Sequence, residues 1–122
     1  MHIHRTLVLE DDDWMREAMV ETLSAAGCEA VGVHDGVEGL DRLDAGSHPC
    51  VIFVDLTMPR MDGRQFVAEL RRRPAVAGVP VVVVTAHASA AEAHALGAVD
   101  WLTKPFTFDR LPELVARHCP GG

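Results

Sequence analysis

Residues 79–86 read VPVVVVTA, with four consecutive valines and no polar residue among them. A strand with one face in water alternates apolar and polar side chains. An unbroken β-branched run is instead the mark of a strand covered on both faces, as in a parallel sheet clad by helices. CVIFVD (50–55) repeats the pattern and stays apolar until its last residue, Asp55.

Moving outward from these runs, apolar positions recur at helical spacing. Residues 13–26 place Met15, Met19, Leu23 and Ala26 on one face and stop at Gly27, a favoured helix terminator. DGVEGLDRLDAG (35–46) turns Val37, Leu40 and Leu43 inward, and 64–73 carries Phe66, Val67 and Leu70. Ser89 and Glu92 have the spacing of a capping box, opening a short helix that ends at Gly97. A last helix covers about 108–118, with Pro112 admissible only near its first turn. TLVLE (6–10), CEAVGV (28–33) and VDWLT (99–103) supply the remaining strands. Five strands alternating with five helices predict one α/β domain over residues 1–122. Its expected form is a flavodoxin-like (βα)5 unit, a parallel sheet of order 2-1-3-4-5 with helices on both faces.

Composition narrows the function. A net charge of −7 argues against direct binding of nucleic acid by phosphate neutralisation. The densest cationic run, Arg71-Arg72-Arg73, falls where a helix ends and reads as charge placed against the helix dipole. No apolar run reaches the length of a membrane span, and the N-terminus lacks a signal-peptide core. Three cysteines, Cys28, Cys50 and Cys119, show no C-x-x-C pairing and predict a reduced, cytoplasmic protein. The His2-x-His4 pair does not by itself predict structural zinc. Of eleven basic residues only Lys104 is a lysine, a compact point charge suited to reaching a phosphoryl oxygen.

In such a sheet, ligands bind beyond the carboxyl ends of the strands where the order switches. The first strand runs into Glu10-Asp11, the third ends in Asp55, the fourth in Thr85 and the fifth leads to Lys104. Carboxylates held this close raise one another's pKa unless a cation offsets them. Hard oxygen ligands suit Mg²⁺, and a hydroxyl and an ammonium beside it suit a phosphoryl group. Asp12 and Asp13 fit the start of the helix that follows, Asp13 as N-cap or both as partners of its dipole.

In LVLEDD, VIFVDLTMPRMDG, VVVVTA and LTKPF, in that order, the chain resembles a response-regulator receiver domain, the phosphoacceptor of two-component signalling. The resemblance implies that Asp55 accepts a phosphoryl group from the phosphohistidine of a histidine kinase or phosphotransfer protein. It implies Mg²⁺ held by Glu10, Asp11, Asp55 and the Thr57 backbone carbonyl, with Thr85 and Lys104 binding phosphoryl oxygens. Pro59 and Gly63 would shape the acceptor loop, and the Lys104–Pro105 bond would be cis. Trp101 stands where relatives carry a switching aromatic, and it equally suits plain packing at a strand edge. His87 would face the site mouth or, as its position favours, be a solvated histidine at a helix start. Trp14 would lean over the site or, as its position favours, cover the first turn of its helix.

Eighteen residues separate Thr85 from Lys104. Relatives have about three more, close to one helical turn. The fourth helix is thus expected to be clipped, which would alter the face through which the family reaches output domains or homodimers. Two competing classes remain. An aspartyl-phosphate phosphatase would carry a second Asp at the position of Thr57. A phosphorylation-independent interaction module would have no use for the intact set of acids, Thr85 and Lys104. The domain is therefore expected to signal rather than to turn over substrate.

Overall fold

A computed structural model describes residues 3–86 and 89–119. Five strands, β1 (Arg5–Leu9), β2 (Glu29–Val33), β3 (Val51–Asp55), β4 (Val81–Thr85) and β5 (Asp100–Thr103), alternate with five helices. These are α1 (Asp13–Ala25), α2 (Gly36–Asp44), α3 (Gly63–Arg71), α4 (Ala90–Ala95) and α5 (Arg110–His118). All strand pairs are parallel and the order is β2-β1-β3-β4-β5, as the alternation predicts.

Central position explains the valine run. Every residue of β3 and β4 is buried, whereas β2 at one edge is only half-covered. Successive side chains alternate between two apolar layers. Val81 and Val83 enter the layer with Phe66 and Leu70 of α3, and Val82 and Val84 the layer with Leu111 and Leu114 of α5. Burying each such side chain contributes about 2 kcal/mol. Pro112 is the third residue of α5, where its missing N–H leaves no helical bond unmade.

Local chemistry sets the boundaries. Asp35, Asp62 and Ser89 cap α2, α3 and α4 by accepting the N–H of Glu38, Gln65 and Glu92. Gln65 returns the bond to Asp62, completing a capping box. Glu92 instead turns its carboxylate to Arg64 of α3. The fourth helix is short, six residues. Ala26, expected on the buried face of α1, is its exposed C-cap, and Val37 is only half-buried. The arginine run does more than face a dipole. Arg71 donates to the carbonyls of Ala77 and Val79, and Arg73 grips Asp44 of α2 through two nitrogens.

The cysteine expectation is corrected. Cys50, just before β3, and Cys119, just after α5, form a disulfide across 69 residues, with Cα atoms 5.2 Å apart; Cys28 is free. Sequence spacing carries no sign of this pair because only the tertiary fold brings the two together. Among the described residues, no helix is long and apolar enough to cross a membrane.

Candidate phosphoryl-acceptor site

The strand ends at the switch point converge. β1 lies between β2 and β3 and delivers Glu10 and Asp11, while β3 ends in Asp55 one register step away. One carboxylate oxygen each of Glu10, Asp11 and Asp55 lies within 4.8 Å of the other two. An open cleft of about 360 Å³ above them is lined by Asp11, Asp55, Thr57, Thr85, Ala86 and Lys104.

Glu10 forms the floor of this cluster and is 1% exposed. Its Oε1 accepts from Lys104 Nζ at 2.6 Å and its Oε2 from the Asp12 N–H at 3.1 Å. Burial pushes the Glu10 carboxyl up to about 7, the charge of Asp55 adds to this, and the two hydrogen bonds pull against it. Lys104 also donates to Asp55 Oδ2 at 2.8 Å. Burial alone would depress the ammonium, but the bonds to Asp55 and Glu10 outweigh it and hold the Lys104 pKa above its ordinary value. Asp55, 5% exposed, receives the Thr57 N–H on its other oxygen at 2.8 Å.

The charge balance tests the fit of a metal. Three carboxylates face one ammonium, so full ionisation leaves an excess that a divalent cation would offset. Burial accounts for most of the rise in the Glu10 pKa, and the Asp55 charge adds a smaller part that a cation would offset. The donors are all hard oxygens, three carboxylates beside an open cleft, which suits Mg²⁺ rather than a thiophilic metal.

The profile of the response regulator receiver domain matches residues 6–116. The chain belongs to this family. Among curated relatives, this receiver is 30% identical to the protein PilG of Pseudomonas aeruginosa, covering 95% of this chain and 87% of PilG. It is 40% identical to the response regulator MprA of Mycobacterium avium over 93% of this chain but 48% of MprA. It is 39% identical to FleR of Pseudomonas aeruginosa over 96% of this chain and 25% of FleR. The chain thus spans half or less of these two longer relatives. Among solved structures, the Vibrio cholerae chemotaxis protein CheY4 superposes with a TM-score of 0.88 at 29% identity, covering 96% of this chain and 99% of that one. The domain is a phosphoacceptor receiver of the two-component type.

Around the receiver's acids, the structure also revises particulars. Asp12, not Asp13, is the N-cap of α1, accepting the Met15 N–H at 2.8 Å from an extended backbone. Asp13 already lies inside the first turn and pairs with Arg16. Gly63 approaches β3 so closely that a Cβ there would sit 2.5 Å from the Asp55 carbonyl oxygen. The Pro59 carbonyl closes a turn onto the Met61 N–H, and the Lys104–Pro105 bond is cis. Thr85 is buried at the end of β4, where its carbonyl receives the Lys104 N–H. Trp101 is 39% exposed and lines a surface hollow with Ala93, His94 and Val99. Trp14 is exposed and meets Phe108 edge-on, so it leans toward the approach to α5 and not over the acids. His87 lies outside the described residues.

Two supports went unread in the sequence. Arg16 donates to the Glu10 carbonyl at 3.0 Å, fixing the turn that carries the acids. Arg60, with a φ of 61°, reaches from the loop after β3 to the buried Asp35 carboxylate, Nε to Oδ2 at 2.7 Å. Burial alone would raise the Asp35 pKa, but the Glu38 N–H and Arg60 more than reverse this and hold it low. Neither arginine has a sequence signal, since each acts across elements distant in the chain.

Proposed function

We propose that Asp55 is the phosphoacceptor of this receiver and that Glu10, Asp11, Asp55 and the Thr57 carbonyl hold Mg²⁺. The observation that carries this reading is the convergence of three acids with Lys104 at the sheet's switch point, facing an open cleft. Bound there, the metal would supply positive charge against phosphoryl oxygens.

Asp55 Oδ attacks the phosphorus of a phosphohistidine in line, the P–N bond breaks, and an acyl phosphate forms on the carboxylate. Lys104, already in contact with Asp55, needs only to shift from carboxylate to phosphoryl oxygen to neutralise the transferred charge. The Thr85 hydroxyl, on the cleft wall, binds a second oxygen. Both contacts exist only in the phosphorylated arrangement, so they bias the domain toward it and the change reaches α4, β5 and Trp101. The partners are a histidine kinase or phosphotransfer protein upstream and a protein target or output domain downstream, in the cytoplasm. Thr57 stands where a hydrolase of this type would place its second acid, which supports a signalling acceptor over a turnover enzyme.

Intact-mass analysis after incubation with Mg²⁺ and acetyl phosphate tests the assignment. Wild type gains one phosphoryl group, and chelator or Asp55→Asn abolishes the gain. Labelling that persists in Asp55→Asn would name a different acceptor.

A further inference from the structure

We propose that Cys50, Cys119 and His4 form a thiol–disulfide exchange site that reacts with low-molecular-weight disulfides. The site lies at the opposite end of the sheet from the acids. Cys50 directly precedes β3 and Asp55 ends it, and five strand residues span roughly 16 Å. His4 and Cys119 both fall outside the residues matched by the family profile, so nothing in that match accounts for the cluster.

Three observations carry the inference. Cys50 and Cys119 are bonded, which shows that the fold itself presents the two sulfurs to each other. His4 Nδ1 lies 3.8 Å from Cys50 Sγ, within reach of a thiol proton, and the ligand-type atoms of all three residues lie within 4.8 Å of one another. Access is graded: Cys50 and His4 are half-buried, whereas Cys119 is buried in the layer with Val8, Phe53 and Leu114. Cys50 is therefore the sulfur that meets a small disulfide, and Cys119 the one that resolves the product. The third cysteine, Cys28, packs on the same layer but lies outside this 4.8 Å group, and burial pushes its thiol pKa up, which disfavours the reactive thiolate.

The reaction balances without a metal. In the reduced protein the imidazole takes the Cys50 proton, and the thiolate attacks RS–SR, expelling RS⁻ and leaving a mixed disulfide on Cys50. The Cys119 thiolate then attacks the Cys50 sulfur and expels the second RS⁻. Two protein thiols are oxidised, the small disulfide is reduced, and the two thiol protons end on 2 RSH. Closure ties the C-terminal end of α5 to the start of β3.

The test uses the full chain, reduced, in chelator, equilibrated with glutathione buffers of stepped disulfide-to-thiol ratio, then quenched, alkylated and mapped by mass spectrometry. As the ratio rises, Cys50 and Cys119 lose their alkylation together, the protein loses two hydrogens, and Cys28 stays alkylated. Thiol addition reverses the change. In Cys119→Ser, glutathione remains on Cys50. His4→Gln slows closure on the order of tenfold at neutral pH and leaves the equilibrium ratio unchanged; a merely structural histidine would leave the rate alone. Oxidation raises the melting temperature of wild type and not of Cys119→Ser. The proposal is overturned if Cys50 and Cys119 alkylate fully at every ratio, or if Cys28 is oxidised as readily as they are. It is equally overturned if glutathione accumulates on wild-type Cys50 without closure.

Discussion

Burial raises the Glu10 carboxyl well above its ordinary range, and its titration is open to measurement. Its folded pKa of about 7 stands above the ordinary 4.5. Between those values the folded protein keeps a proton that the unfolded chain releases. Stability of the metal-free protein therefore falls as pH rises from 4.5 to about 7 and levels off above. Urea unfolding across this window should show the fall in wild type and its loss in Glu10→Gln. The hydrogen bond from Lys104 is the strongest influence holding this pKa down, so Lys104→Ala should move the Glu10 midpoint further up, as read by carboxyl-carbon NMR. An unchanged midpoint would mean that the ammonium does not govern the carboxyl. At this scale the sequence was partly legible. Glu10, Asp55 and Lys104 each follow or end an apolar strand, where a charge without partners is disfavoured. The choice between Asp12 and Asp13 as cap was not legible, because capping depends on which single residue keeps an extended backbone while its neighbour turns helical.

Elements position these residues through two tight devices. Gly63 opens α3 against β3, with a Cβ site 2.5 Å from the Asp55 carbonyl and 2.7 Å from the Leu56 Cα. Backbone atoms cannot rotate aside, so Gly63→Ala should cost roughly 1–3 kcal/mol and disturb the acceptor loop. Thermal unfolding would show the loss, with phosphoryl uptake slowed in the fraction that folds. Asp35 both caps α2 and receives Arg60 from the loop after β3. Asp35→Ala should cost roughly 2 kcal/mol, cap and ion pair together. Its pKa is held below the ordinary 3.8, so its contribution is present above that pH and is lost as pH falls through the folded value. A melting temperature for Asp35→Ala equal to that of wild type at neutral pH would contradict the role. Gly63 was readable as a loop residue beside DLTMPRMD. The Asp35–Arg60 pair was not, because its partners are 25 residues apart and an arginine at positive φ is not a turn signal.

At the scale of the whole molecule, two fully covered central strands dictate the rest. VIFVD and VVVVT must have helices on both faces, and parallel pairing through crossovers then fixes the order that exposes one switch point. That logic is contained in the chain's periodicity, which is why the architecture was readable while the Cys50–Cys119 bond was not. The central claim is that the acids at this point are held for a divalent ion and a phosphoryl group. Calorimetric titration of the metal-free protein with Mg²⁺ tests it most directly. The account predicts one ion per chain, proton release from Glu10 below about pH 7, and loss of binding in Asp11→Asn. Absence of binding heat in wild type under several buffers, or undiminished affinity in Asp11→Asn, would contradict it.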